Sequence, residues 1–477
     1  MNKIKILIIG AGPCGLGAAY RLHEQNFSDF LILEKENYVG GLSASFIDEA
    51  GFTWDIGGHV LHSHYDYFDR VFEKHVLKKC YKHQRSAWVH LLQKFIPYPF
   101  QNNLRYLPKD MQWECVKGLI NLQTQKNAER TGSKKTNNYK EWLLNNFGKG
   151  IAKHLAFPLN KKQWAHPLNK MSADWLKDRV SAISLKKTLE NIFLEKDDKR
   201  WGPNNIFYFP KKEGTAYIWQ TLAKILPKEK IQLNSQVAKI DVKKKIVTLK
   251  NKEQYSYDQL ISTIPLTQLL KISKSTNYAQ SKKHLAHSST HVVGLCLKGQ
   301  TPTELKEKAW IYFPENNSPF FRVTVFSNYS KNNVADAKNN WSLMCEVAGS
   351  KYRKINKVNR AAREGTLGYQ KTLAKDVIKG ALTTGLISNK KQVINSWVFT
   401  ADYGYPTPTL TRDKFVHKTL KKLDTKNIYS RGRFGAWKYE VGNMDHTFMQ
   451  GVEVIDRILK GKKEVTIWEP NLVNQRS

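Results

Sequence analysis

Acidic residues are scarce in this 477-residue chain: 41 Asp and Glu stand against 77 Lys and Arg, a formal charge of +36. Such an excess directs attention to polyanions, whether nucleic acid, an anionic membrane surface or an acidic small molecule. The basic residues are scattered as pairs, from Lys78-Lys79 to Lys421-Lys422, with a triplet at Lys243-Lys244-Lys245. A nucleic-acid arm would concentrate them, so the charge reads as a solvated surface and no specific nucleic-acid partner is expected. Cysteine is also sparse: Cys14, Cys80, Cys115, Cys296 and Cys345 lie far apart and include no C-x-x-C. That excludes a cysteine zinc motif and a disulfide framework, leaves no metal site expected, and fits a reducing, cytoplasmic compartment. No run of about 18 apolar residues is present, so no transmembrane helix is expected. The apolar start, Ile4 to Ile9, leads straight into a glycine motif and reads as a buried strand, not a signal peptide. Hydrophobic residues still make up 41% and aromatics 12%. That is ample for a packed core and excludes wholesale disorder. The length suggests about three domains or one large multi-layered enzyme.

Ile4 to Ile9 is mostly β-branched and ends in glycine, the pattern of a buried parallel strand. Leu16 to Gln25 has helical spacing and Phe30 to Leu33 reads as the next strand, a βαβ unit that sets an α/β class. From about Tyr65 to Arg200 helical spacing dominates, at Tyr67-Phe68, Val71-Phe72 and Val76-Leu77 and over Met111–Leu122 and Tyr139–Phe147. Gly132 to Lys135 reads as an exposed loop within that mainly helical insertion. Strands return at Ile231-Leu233, Val237–Ile240, Ile246–Leu249 and Leu260–Ile264, then at Trp310–Phe313, Phe321–Phe326 and Ser342–Val347, suggesting a mostly antiparallel region. A short strand at Ile428 and a helix from about His446 to Leu459 complete the pattern.

Gly10-Ala11-Gly12-Pro13-Cys14-Gly15 fits G-x-G-x-x-G in the right context, after a strand and before a helix. The first glycine permits the turn, the second lets backbone approach a pyrophosphate, and the third lets helix and strand pack closely. The helix N-terminus offers N–H groups and a positive dipole end to phosphate. Glu34 ends the second strand, 24 positions after Gly10, where a carboxylate can accept from a ribose hydroxyl. Gly40-Gly41, followed by Leu42, is a second place for backbone to approach phosphate.

Several further segments together resemble the UDP-galactopyranose mutases, in particular their eukaryote-type branch. They include Gly57-Gly58-His59-Val60, Pro97-Tyr98-Pro99-Phe100-Gln101-Asn102-Asn103 and Trp201-Gly202-Pro203-Asn204. Gly404-Tyr405-Pro406-Thr407-Pro408 and Arg431 to Asn443 (RGRFGAWKYEVGN) extend the likeness along the chain. The resemblance implies a discontinuous FAD-binding Rossmann-like domain at 1–75, 201–275 and 425–477. It implies a helical substrate domain at 76–200 and an antiparallel sheet domain at 276–424. It further implies an isomerase that interconverts UDP-galactopyranose and UDP-galactofuranose through a covalent flavin N5–sugar adduct, with reduced FAD required and NAD(P)H as reductant.

Carried over position by position, the resemblance assigns Arg179 and Arg322 to the diphosphate, where planar guanidinium forks suit phosphate oxygens. Tyr98, Gln101, Asn160 and Trp164 would hold the uridine and a mobile loop. Tyr312, Tyr405 and Tyr439 would lie near the diphosphate, and Asn204, Trp310 and Asn443 around sugar and flavin. Gly57, Gly58 and His59 match a turn whose carbonyl faces flavin N5. Arg433, Val237 and the run Gly442, Asn443, Met444 and Thr447 would touch the cofactor, with Gly10, Gly12, Cys14, Gly15, Glu34, Gly40, Gly41 and Leu42 at its other end. Three departures stand out. His62 replaces an aromatic near the uracil pocket, Met444 replaces a glutamine beside the flavin, and Glu213-Gly214-Thr215 replaces a more glycine-rich stretch. The competing reading is an FAD-dependent oxidase of the amine-oxidase type, which shares the dinucleotide site but has no need of diphosphate-binding arginines.

Overall fold

The computed structural model describes residues 2–128, 136–176, 183–198, 205–355 and 367–475. Strand β1 (Asn2–Ile9), helix α1 (Pro13–Glu24) and strand β2 (Phe30–Leu33) form the βαβ unit expected from the alternating patterns. β1 pairs in parallel with β2 on one side and with Gln254–Ser262 on the other. Ile231–Gln232 and Ile428–Ser430 extend this sheet in parallel, and Val237–Asp241 and Ile246–Leu249 close one flank antiparallel. The inner strands are apolar on both faces because helices cover both, so β2 is buried throughout.

A second seven-stranded sheet stands beside the first. It runs from the edge strand Val393–Thr407 through its long partner Ala286–Lys298 to Asn340–Gly349, Arg322–Val325 and Trp310–Tyr312. It is antiparallel except where Trp310–Tyr312 meets Ala87–Leu91 in parallel. That contact corrects the sequence reading. Residues 76–200 are not helical throughout, because Cys80–Gln84, Ala87–Leu91 and Lys94–Pro97 are strands, and the last two form the edge of the second sheet. Trp88, Val89 and Phe95 pack against apolar clusters there, a tertiary demand that overrides local pattern. Val76 and Leu77 also fall beyond the helix Asp66–His75. Among the described residues the helices of the insertion include Lys109–Ala128, Tyr139–Ile151 and Phe157–Trp164. Gly132 to Lys135 lies outside the described residues. Among the described residues no helix is long and apolar enough to cross a membrane.

The departure at Glu213-Gly214 is a left-handed pair, φ 66° and 56°. It presses Gly214 against Asp55 and Ser45, and the Thr215 N–H donates to Asp55 Oδ1 at 3.1 Å. What positions the glycine motif is a helix crossing. α1 lies against Met444–Lys460 so closely that a Cβ on Gly17 would enter the backbone carbonyl of Phe448, and one on Gly451 the carbonyl of Cys14. Gly451→Val is therefore expected to cost about 1–3 kcal/mol and to lower retention of bound flavin. Urea unfolding with the flavin-to-protein absorbance ratio checks it, and unchanged values for both would refute the crossing as the constraint.

Candidate active site

The two sheets and the helical insertion enclose one elongated cavity of about 1320 Å³. At one end Gly10 (φ 100°) turns the chain from β1 into α1, and its N–H donates to the carbonyl of Leu33 at 2.9 Å. Gly12 caps α1 without a side-chain bond, so the first N–H groups of the helix are left to face the cavity. A Cβ on Gly41 would stand 3.4 Å from Gly12 Cα, which shows how narrowly the two glycine turns approach. Glu34 is buried, and its carboxylate accepts from Ala11 N–H at 2.6 Å and Glu36 N–H at 2.9 Å. Burial raises its pKa while those two N–H groups favour the charged form. Each oxygen keeps a lone pair for a further donor. Bare backbone, a helix N-terminus and a buried carboxylate in this order fit a dinucleotide. Cys14, Leu42 and Val237 line the same end. Gly15 and Gly40 stand behind the wall, and Gly15 serves packing, since a Cβ there would enter the backbone carbonyl of Gly10.

In the middle, Gly57 (φ 99°), Gly58 and His59 form a tight turn in which the Gly57 carbonyl accepts from His59 N–H at 2.9 Å. The Gly58 N–H donates to Glu346 Oε1 at 3.2 Å. His59 Nδ1 is enclosed with no partner among the described residues. Burial first, then the positive charges of Arg433 and Arg322, push its pKa down to about 3, so the ring is neutral. Arg433 donates to the carbonyls of Gly442 at 2.9 Å and Gly404 at 3.1 Å and lies over the rings of Tyr405 and Tyr439. It thereby fixes Gly442, Asn443 and Met444, which line the cavity with Thr447 at the start of Met444–Lys460.

At the far end Arg322 makes a two-pronged ion pair with Glu346, Nε to Oε1 at 2.6 Å and Nη2 to Oε2 at 2.9 Å. Glu346 is 1% exposed, and the pairing holds the guanidinium well into its charged form despite burial. Two N–H groups enter this fork, which leaves three to face other partners. Tyr98, Gln101, Asn160, Trp310, Tyr312, Tyr405 and Tyr439 share the wall. Burial raises the phenol pKa of Tyr98 and Tyr405, so both stay protonated donors. Asn160 is already engaged locally: Oδ1 accepts from Tyr139 at 2.9 Å and Nδ2 donates to the Ala156 carbonyl at 2.8 Å. Trp164 does not reach the wall. It is 1% exposed and packs edge-on behind Trp175 and Tyr439, and Trp175 supplies the exposed face. Arg179 and Asn204 lie outside the described residues.

Sequence reading missed Glu346, Arg85, Tyr139 and Trp175, all on the wall. Glu346 was detectable, because it is the one charged residue in Asn340–Gly349, a strand otherwise buried and largely apolar. Arg85 lies between elements and shows no local signal. Its Nη2 is buried without a partner among the described residues, and burial lowers its pKa against the pull of Tyr98 and Tyr312.

A family model described as flavin containing amine oxidoreductase matches residues 13–354. A crystal structure of reduced UDP-galactopyranose mutase superposes with a TM-score of 0.92 at 42% identity, covering 100% of this chain and 98% of that one. Wild-type putrescine oxidase bound to putrescine has the same fold at 13% identity, with a TM-score of 0.62, covering 96% of this chain and 99% of that one. A zeta-carotene desaturase of Capsicum annuum is 35% identical over 72 residues, 15% of this chain; the chain spans only 12% of the length of that curated relative. The fold and the dinucleotide end thus define a member of the flavin containing amine oxidoreductases. Within that class the chain belongs to the UDP-galactopyranose mutase family.

The neutral His59 carries a pH signature. Its folded pKa of about 3 lies below the 6.5 of an ordinary imidazole, so between those values the unfolded chain binds more protons. Stability therefore rises with pH through that window and is lost as pH falls. Urea unfolding at pH 5 and pH 7 should show a smaller loss on acidification for His59→Gln than for the parent. Equal losses would mean that His59 titrates normally in the fold.

Proposed function

We propose that this protein interconverts UDP-galactopyranose and UDP-galactofuranose, in the manner of the eukaryote-type mutases that its motifs resemble. The observation that carries the reading is Arg322, held by Glu346 on the cavity wall among Tyr312, Tyr405 and Tyr439. A putrescine-like or apolar substrate needs no such cation, whereas a nucleoside diphosphate does. Reduced FAD, when bound, supplies the nucleophile that exchanges with UDP at the anomeric carbon. The chain's own residues do the rest. Segments 1–75, 201–275 and 425–477 hold the cofactor, and 76–200 with 276–424 hold the nucleotide sugar.

Arg322, with Arg179 from the segment outside the described residues, meets the negative charge that grows on the departing diphosphate. Protonated phenols at Tyr405 and Tyr98 donate without competing as bases. Arg433 and the first turn of Met444–Lys460 place positive potential at the cofactor's edge and favour an anionic reduced ring. His59 stays neutral and leaves the turn's polar groups to orient the cofactor. NAD(P)H is the reductant and the cytoplasm the compartment in this reading.

The experiment is direct. The purified protein is reduced with dithionite or NAD(P)H, given UDP-galactofuranose, and UDP-galactopyranose is followed by chromatography. Absence of turnover under reducing conditions would overturn the assignment. Arg322→Ala should lower kcat by about 10²–10³-fold with yellow flavin retained. Arg322→Lys should rescue little, since an ammonium cannot replace the fork that engages Glu346. Parent-like turnover in Arg322→Ala would remove this residue from the chemistry.

A further inference from the structure

At the start of Met444–Lys460 the fold gathers three imidazoles around one carboxylate. Asp445 is 1% exposed, and its Oδ2 meets His64 Nδ1 at 2.7 Å and accepts the His64 backbone N–H at 3.2 Å. His446 stacks on His64 with ring centroids 4.6 Å apart, and His62 stands edge-on to it at 5.6 Å. The second carboxylate oxygen, Oδ1, is buried with no hydrogen-bond partner among the described residues. A buried carboxylate is costly unless a cation compensates it. Among the described residues no Lys or Arg forms an ion pair with Asp445; its one partner of that kind is His64.

The cysteine pattern gave no reason to expect a metal, but the folded chain brings other donors together. One donor atom from each of His62, His64 and Asp445 lies within 4.8 Å of the other two. Around a four-coordinate zinc at about 2.0–2.2 Å, donors stand about 3.3–3.6 Å apart. The difference is a movement of about 1 Å at His62, which borders the cavity. Two imidazoles and a carboxylate suit a zinc-class ion and not calcium or magnesium, which prefer all-oxygen shells. His62 and His64 both border the cavity, so the fourth position opens into it. We infer that His62, His64 and Asp445 form a binding site for a divalent zinc-class cation, with its open coordination position facing the active-site cavity.

The test uses the flavin-loaded protein after chelator treatment. Calorimetry with Zn²⁺ should give one site per chain, and Co²⁺ should give ligand-field absorption to the red of the flavin bands. His62→Phe should weaken Zn²⁺ binding by about 10–100-fold and abolish the cobalt bands, with the flavin-to-protein ratio unchanged. His62→Cys, which restores a donor, should recover both signals, and His64→Gln gives an independent loss. Equal zinc affinity in the parent and in His62→Phe would overturn the site. So would no stoichiometric binding in the parent, which would mean that a proton on an imidazole, and not a metal, balances Asp445.

Discussion

Glu346 joins the two halves of the molecule: it pairs with Arg322 on the neighbouring strand and reaches across to the Gly57-Gly58 turn. Glu346 sits on a buried strand of the second sheet, yet its carboxylate also takes the N–H of Gly58, in the turn that faces the cofactor end. A Cβ on Gly57 would stand 3.2 Å from Glu346 Oε2, so the turn and the ion pair are fitted to each other. Leaving either partner of such a pair buried and alone costs about 3–5 kcal/mol. The position of the guanidinium is thus set by the same contact that sets the turn. A molecule held by the one is aligned with a molecule held by the other.

The charge of +36 looks different beside this arrangement. Among the described residues the cations on the cavity wall are few: Arg322 in its fork, Arg433 between two carbonyls, Arg85 beside Tyr98 and Tyr312, and Lys35 at the dinucleotide end. The scattered lysines contribute a long-range attraction for anions that salt screens within about 8–10 Å. The net charge is a property of the surface, whereas selectivity comes from geometry inside.

Legibility in the sequence followed how local each cause was. β2 could be read to the residue, and β1 and α1 could be recognised with their starts placed late, at Ile4 and Leu16 instead of Asn2 and Pro13, because a buried parallel strand and a glycine turn carry their signals in neighbouring positions. Cys80–Gln84 and Ala87–Leu91 could not, because they pair with Ile206–Pro210 and Trp310–Tyr312, far along the chain, and Lys94–Pro97 rests on Ala87–Leu91. Ala286–Lys298 and Val393–Thr407, the longest strands, escaped for the same reason. On the cavity wall, Tyr98, Tyr312, Tyr405 and Tyr439 were found through family motifs. Trp175 was missed because only packing decides which of two neighbouring indoles faces inward.

The glycine contact between α1 and Met444–Lys460 has a consequence for how the chain is made. β1 is completed by Gln254–Ser262, and the helix after it has no seat until Gly451 has been synthesised. The nucleotide-binding motif is therefore translated well before it can become competent. Contacts of such sequence separation form slowly, and the emerging chain must carry an apolar strand with one edge paired to β2 and the other left open until Gln254–Ser262 has been made. That strand carries Lys3 and Lys5 in its first half, charges of the kind that discourage edge-to-edge association during the wait.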